Sequence, residues 1–171
     1  MNIRSVHPDD AAAIAALYNH FVLHTTVSFE EEPVATAQMA QRIEAYRSTH
    51  PWLVGEEDGL VGYAYASPYR PRPAYRFTAE TTIYLHPEAT GRGLGSRLYQ
   101  ALLDKLVQGG FQTVLGIIAL PNPASVALHE KLGFVQVGQL AQVGHKFDRW
   151  IDTGYWHKSL QAPSDPTERV Q

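Results

Sequence analysis

Apolar positions at helical spacing alternate along the chain with short β-branched and aromatic runs. A strand at Ile3 to Val6 precedes a helix that Pro8-Asp9-Asp10 opens and in which Ile14, Leu17 and Phe21 share a face. A second helix begins near Thr36, carries Met39, Ile43 and Tyr46, and ends before Pro51, since the residue preceding proline avoids the helical region. The period then changes. Trp52-Leu53-Val54 and Leu60 to Tyr65 read as strands joined through Asp58-Gly59, a strong hairpin signal. Ser67 to Arg76, with its prolines and arginines, is a stiffened loop, and Phe77 to Leu85 is a strand.

Beyond it, Leu94, Leu98, Ala101, Leu102 and Leu106 mark a helix stopped by Gly109-Gly110. Then come a strand at Thr113 to Leu120, a break at Pro121-Asn122-Pro123, a helix through Ala124 to Leu132 ending at Gly133, and strand regions at Phe134 to Val143 and Phe147 to Lys158. This order predicts an α/β domain, a mixed twisted sheet of about six to seven strands with helices on both faces. Residues 1–160 are expected to form that domain and residues 161–171, polar and proline-containing, a disordered tail.

Composition narrows the chemistry. With 44% hydrophobic and 18% charged residues, the 171-residue chain reads as an ordinary soluble globular protein. It has no cysteine, so disulfides, thiolate nucleophiles and cysteine metal sites are excluded. A formal charge of -3, with dispersed lysines and arginines, provides no field for nucleic acid. No signal peptide or apolar run of membrane length is visible, and a cytoplasmic location is expected. None of the eight histidines shows metal-ligand spacing, so no metal is expected.

The stretch His86 to Leu98, "HPEATGRGLGSRL", places glycines at 91, 93 and 95 between a strand and a helix. Unpaired amides at the positive end of a helix dipole form an anion site, here with Arg92 alongside. A tight turn needing glycine for conformation alone is the competing reading. The lysine and hydroxyl of a P-loop are missing, as is the repeated βαβ context of a dinucleotide fold.

Thr90 to Ser96, Asn122, and Leu128-His129-Glu130-Lys131-Leu132-Gly133-Phe134 together resemble the acetyl-CoA-binding core of the GNAT N-acetyltransferase superfamily. The superfamily usually begins the loop with Gln or Arg where this chain has Thr90, a departure that bears on one side-chain contact and leaves the backbone contacts intact. "LYNHF", "TTVSFEEEP", "PWLVGE", "GYAYASPYRPRPAYRFTAETTIYL", "GLGSRLYQALL" and "VGHKFDRWIDTGYW" resemble, more narrowly, the phosphinothricin and methionine sulfoximine (or methionine sulfone) acetyltransferase branch. That resemblance implies a GNAT fold, acetyl-CoA as cosubstrate, a small amino acid acetylated on its α-amine, and a homodimer.

It also implies roles. Glu80, on one strand face with Thr78 and Thr82, becomes the general base, with Thr81 and Thr82 lining the site; position alone would make it a sheet-surface carboxylate. His129 stands where many relatives place the tyrosine that protonates the thiolate, and its role as acid, second base or substrate-positioning group stays open. Ile83, Tyr84 and Leu85 are expected to serve through their main chain, pairing with the pantetheine arm and polarising the acetyl carbonyl. Gly91, Arg92, Gly93, Leu94, Gly95 and Ser96 meet the pyrophosphate, Asn122 the pantetheine, and Ser125 and Lys131 the CoA phosphates.

Arg70, Arg72 and Tyr75 are expected to hold the acceptor's anionic groups, with Phe29 as an aromatic pocket wall. The alternatives are another acceptor amine, such as a polyamine or a protein N-terminus, and a non-catalytic CoA-binding regulatory module. Trp150, Tyr155 and Trp156 read either as an interface strand or as core.

Overall fold

The computed structural model describes residues 1–161; apart from Gln161, the expected tail lies outside the described residues. Seven strands form one mixed sheet: β1 (Asn2–Ser5), β2 (Trp52–Glu57), β3 (Gly59–Pro68), β4 (Thr78–Leu85), β5 (Thr113–Leu120), β6 (Val135–Lys146) and β7 (Arg149–Ser159). Four α-helices accompany them: α1 (Ala11–His24), α2 (Thr36–Tyr46), α3 (Leu94–Gln108) and α4 (Pro123–Lys131). The spatial order is β1-β2-β3-β4-β5-β7-β6, antiparallel throughout except for β4 and β5.

Each sheet face has its own core. On one, α3 buries Leu98, Leu102 and Leu106 against Leu53, Ala64, Ala66, Ala79 and Val114, with Phe134 and Trp156 closing the layer. Fully burying a leucine contributes roughly 1.5–3 kcal/mol relative to leaving it exposed, so the three fix α3 firmly on the sheet. On the other, α1 and α2 bury Ile14, Val22, Met39 and Ile43 against Trp52, Val54 and Tyr63. Strand alternation divides β4 between these cores: Tyr84 packs on Tyr18 and Phe21 of α1, whereas Thr81 bonds to Tyr99 of α3.

Strand ends shift by a few residues from the sequence reading, β1 to Asn2–Ser5 and β3 out to Pro68 among them. The second helix ends at Tyr46, before Pro51 as expected, and the amides of Thr49 and His50 close the following turn on the Tyr46 carbonyl. Strand β6 continues past Val143 to Lys146, because pairing with β7 resumes at Gly144 after a register shift. The Lys146–Arg149 pair then leaves Phe147 and Asp148 as a two-residue turn with φ of 51° and 55°. A phenylalanine at positive φ does not announce such a turn, which is why Phe147 reads as strand from sequence. Of the C-terminal aromatics, Trp156 is core and Trp150 is 65% exposed.

Gly62 in β3 sets the spacing to β4, since a Cβ there would stand 2.7 Å from the Tyr84 carbonyl oxygen and 2.6 Å from the Leu85 side chain. The backbone cannot step aside without parting the β3–β4 ladder. Gly62→Ala is expected to destabilise the fold by about 1–3 kcal/mol, read as a lower urea midpoint at unchanged slope.

Candidate functional site

The parallel pairing of β4 and β5 runs only from Thr78–Thr113 to Thr81–Gly116. Thr82 to Leu85 then pair with β3 alone, and Ile117 to Leu120 with β7 alone. The strands part, and between them opens a cleft of about 440 Å³. Main-chain groups along Ile83, Tyr84 and Leu85 that a neighbouring strand would otherwise engage face this gap, as their expected main-chain role requires. Phe21 and Val27 line the gap from the α1 side and Ser96, Ser125 and Leu128 from the α3 and α4 side, so it passes through the sheet.

At one end lies the glycine loop. Gly91 and Gly93 both have φ of 75°, a region that other residues rarely adopt, and no atoms crowd the positions their side chains would take. Gly93 is the N-cap of α3 and no side chain caps the helix, so the amides of its first turn open toward the cleft. That is the geometry of an anion site. The Thr90 hydroxyl donates to the Pro87 carbonyl at 2.8 Å and is spent within the loop.

Other members of the predicted loop act differently from expectation. Gly95 is a packing glycine as well as a cleft residue: its absent Cβ would meet Leu85 Cδ1 at 2.8 Å. Leu94 is buried and does not line the cleft. Arg92 donates to Glu57 at 2.8 Å and holds that carboxyl below its usual range; Glu57 also receives the N-terminal ammonium at 3.5 Å. The expected positive charge beside the loop is therefore already paired.

At the start of α4, Asn122 Oδ1 accepts from the Ser125 amide at 3.2 Å, and Asn122 lines the cleft with its Nδ2 unbonded among the described residues. It caps the helix, and its amide nitrogen is left without a partner beside the cleft. Ser125 and Lys131 also line the cleft.

His129 is buried, on the α3 and α4 side of the sheet. Its ring sits where a side chain on Gly116 would be, and Gly116 is the last β5 residue paired to β4. Nδ1 lies 2.8 Å from the Ser125 carbonyl, which can only accept, so the neutral ring carries its proton there. Nε2 lies 3.0 Å from Tyr99 Oη, itself 2.7 Å from Thr81 Oγ1. Burial pushes the His129 pKa down, partly offset by the Ser125 bond. Both ring nitrogens are committed. Tyr99 escaped the sequence reading because its helical position reads as plain core.

Glu80 is on the α1 face, half-buried and without a hydrogen-bond partner among the described residues. Burial pushes its carboxyl pKa up, and the positive charge of Arg70 pulls it partly back. Thr82 shares this face; Thr81 points to the other, so the two expected neighbours divide between the faces. Arg70 stacks on Tyr69 at 4.5 Å, and Tyr75 meets Tyr69 edge-on at 5.5 Å. Arg72 is exposed, and none of Arg70, Arg72 and Tyr75 lines the cleft itself.

Phe29 does not line the cleft either. Its ring packs where Gly144 lacks a side chain, and Phe21 and Val27 form the wall instead. Val27 is held by its neighbour: Ser28 Oγ bonds Tyr18 Oη at 2.7 Å, and the buried Lys146 donates to the Ser28 carbonyl at 2.7 Å.

A strand pair that splays over an uncapped, glycine-opened helix end is matched by the acetyltransferase (GNAT) domain model over residues 3–154. The chain belongs to the GNAT acetyltransferase family and is an acyltransferase using acetyl-CoA. It is 44% identical to the phosphinothricin N-acetyltransferase of Alcaligenes faecalis, over 94% of this chain and 83% of that one. It is 38% identical to the L-methionine sulfoximine/L-methionine sulfone acetyltransferase of Salmonella typhimurium, over 97% of this chain and 98% of that one. Among solved structures, a phosphinothricin acetyltransferase of Sinorhizobium meliloti in complex with acetyl-CoA superposes with a TM-score of 0.90 at 34% identity, covering 96% of this chain and 94% of that one.

Gly116→Ala is expected to push the His129 ring off its partners. Turnover should fall about 10-fold or more while the acetyl-CoA dissociation constant stays within about twofold, measured by calorimetry beside steady-state kinetics.

Proposed function

We propose that the protein transfers the acetyl group of acetyl-CoA to the α-amine of a small amino acid or toxic analogue such as phosphinothricin or methionine sulfoximine. The observation that carries this reading is Glu80, a half-buried, unbonded carboxylate next along β4 to the cleft-lining Thr81 and Thr82 and within the field of Arg70. The substrates named for the relatives support it.

Transfer begins with loss of a proton from the acceptor ammonium, since only the neutral amine has a lone pair to attack the thioester. Glu80 takes that proton, directly or through a water. Its raised pKa brings it nearer the working pH and makes it a stronger base than an exposed glutamate. The amine attacks the acetyl carbonyl, and main-chain amides along the open edge of β4 stabilise the developing oxyanion. Arg70, with Arg72 and Tyr75 in the same loop, steers the acceptor's carboxylate or phosphinate toward Glu80. The glycine loop and α3 N-terminus hold the pyrophosphate, and Asn122 the pantetheine. The N–C bond forms, the oxyanion collapses and the C–S bond breaks; the nitrogen gives up its second proton to water in the cleft, and the sulfur takes a proton and leaves as the thiol.

The same reading makes the enzyme cytoplasmic, detoxifying and homodimeric. No described helix is long and apolar enough to cross a membrane. A second copy of the chain has an apolar surface to bind along the edge strand β6 and its hairpin, where Val135, Val137, Leu140, Val143, Phe147 and Trp150 are 48–65% exposed. Light scattering is expected to give twice the chain mass for the wild type and a monomer for the Leu140→Asp, Trp150→Asp double variant.

A thiol-release assay tests the acceptor. Activity is expected with phosphinothricin, methionine sulfoximine or methionine sulfone; activity confined to polyamines or peptide N-termini overturns the substrate class, and coenzyme binding without turnover on any amine overturns catalysis. Glu80→Gln is expected to lose about 100-fold or more in kcat/KM. The pH profile has a definite sign. A base with a raised pKa works above that pKa, so kcat/KM should fall on acidification at a pH above the ordinary carboxylate range. Arg70→Gln removes a charge that lowers it, and should move this limb further up and raise the acceptor KM.

A further inference from the structure

One row of polar atoms crosses the apolar layer between β4, β5, α3 and α4. The Leu115 carbonyl is 3.2 Å from Thr81 Oγ1, which is 2.7 Å from Tyr99 Oη; that oxygen is 3.0 Å from His129 Nε2, and His129 Nδ1 is 2.8 Å from the Ser125 carbonyl. Main-chain carbonyls close both ends, and they can only accept. The row thus has four links, each needing a proton, while Thr81, Tyr99 and a neutral imidazole bring three.

With Nδ1–H on Ser125, the neutral Nε2 accepts from Tyr99, the Tyr99 oxygen accepts from Thr81, and the Leu115 link goes unmade. That link is the longest of the row. One added proton on Nε2 reverses every bond between the two ends: Nε2–H donates to Tyr99, Tyr99 to Thr81, and Thr81 to Leu115. All four links are then made. Burial disfavours the imidazolium, and the row is built to receive it. Burial also keeps Tyr99 protonated, so it passes a proton without becoming a tyrosinate store.

Lys131 lines the same cleft, but no charged side chain among the described residues bonds the His129 ring. Tyr99 of α3, Gly116 of β5, Phe134 before β6 and Ser125 of α4 meet the ring. Glu130, next to it on the helix, turns its carboxylate to Trp156 Nε1 at 3.4 Å. Thr81 is the last β4 residue paired to β5, and both it and His129 line the cleft.

We propose that Thr81, Tyr99 and His129 form a reversible proton relay, with His129 as the reservoir, Tyr99 as the positioning residue between, and the Thr81 hydroxyl as the outlet to the departing coenzyme thiolate. The relay rests on the acetyl-transfer reading. As the C–S bond breaks, the Thr81 hydroxyl turns its proton away from the Leu115 carbonyl and the sulfur's electron pair takes it. The Thr81 oxygen takes the proton of Tyr99, and the Tyr99 oxygen takes that of Nε2. A thiol and a neutral His129 result. The second proton shed by the acceptor nitrogen, carried by cleft water, recharges the ring.

Two measurements test this on the full chain. In 15N NMR of the histidine rings, neutral His129 should be protonated at Nδ1, and Tyr99→Phe should lower its titration midpoint. In steady-state assays Tyr99→Phe and Thr81→Val should each lose about 10- to 100-fold in kcat at an acetyl-CoA dissociation constant within about twofold, with Thr81→Ser restoring most of it. Wild-type kcat in either hydroxyl-deleted variant, or an unmoved His129 titration in Tyr99→Phe, overturns the relay. A wild type inactive on every amine, with the His129 titration still moved in Tyr99→Phe, overturns the acetyl-transfer reading and leaves the proton count standing.

Discussion

Everything at the site depends on the early end of one strand pairing. β4 and β5 are held together up to Thr81 and Gly116, where Thr81 also reaches the Leu115 carbonyl, and then separate. Had they stayed paired to Leu85 and Leu120, the sheet would be continuous and its edge groups consumed. Because they part, two half-strands keep unpaired main chain on facing sides, which in a protein interior is tolerable only where a ligand or water takes its place. The helices that follow the two strands, α3 and α4, bring the uncapped amides of one and the Asn122 cap of the other to the same opening.

This opening also sorts the chemistry by face. Glu80 belongs to the α1 side of β4, beside the arginine loop, and His129 belongs to the α3 and α4 side. The alternation of a β-strand, one residue from Glu80 to Thr81, sets the two side chains on opposite sides of the sheet. Neither group disturbs the other's environment: burial acts on both, but Arg70 reaches only Glu80 and Ser125 reaches only His129.

Much of this was legible in the chain. The strand and helix order, the glycine loop, and the joint pattern of Asn122 and His129 led to the fold and to the acetyl-CoA family, because periodicity and backbone-conformation signals are local. What failed needed contacts between distant segments. Phe29 reads as a pocket wall until Gly144 is seen to receive its ring. Arg92 reads as a phosphate ligand until Glu57 is placed beside it. Tyr99 is not singled out by the sequence, and it is buried in the core; its hydroxyl, aimed at two other elements, is what sets it apart.

Gly116 has the widest consequence for anyone redesigning this enzyme. The space its side chain would fill is taken by the imidazole of His129, so the two positions share one volume. A library that varies residue 129 at constant 116 samples only groups that fit a histidine-shaped vacancy, and one that enlarges 116 evicts whatever stands at 129. The two must be randomised as a pair.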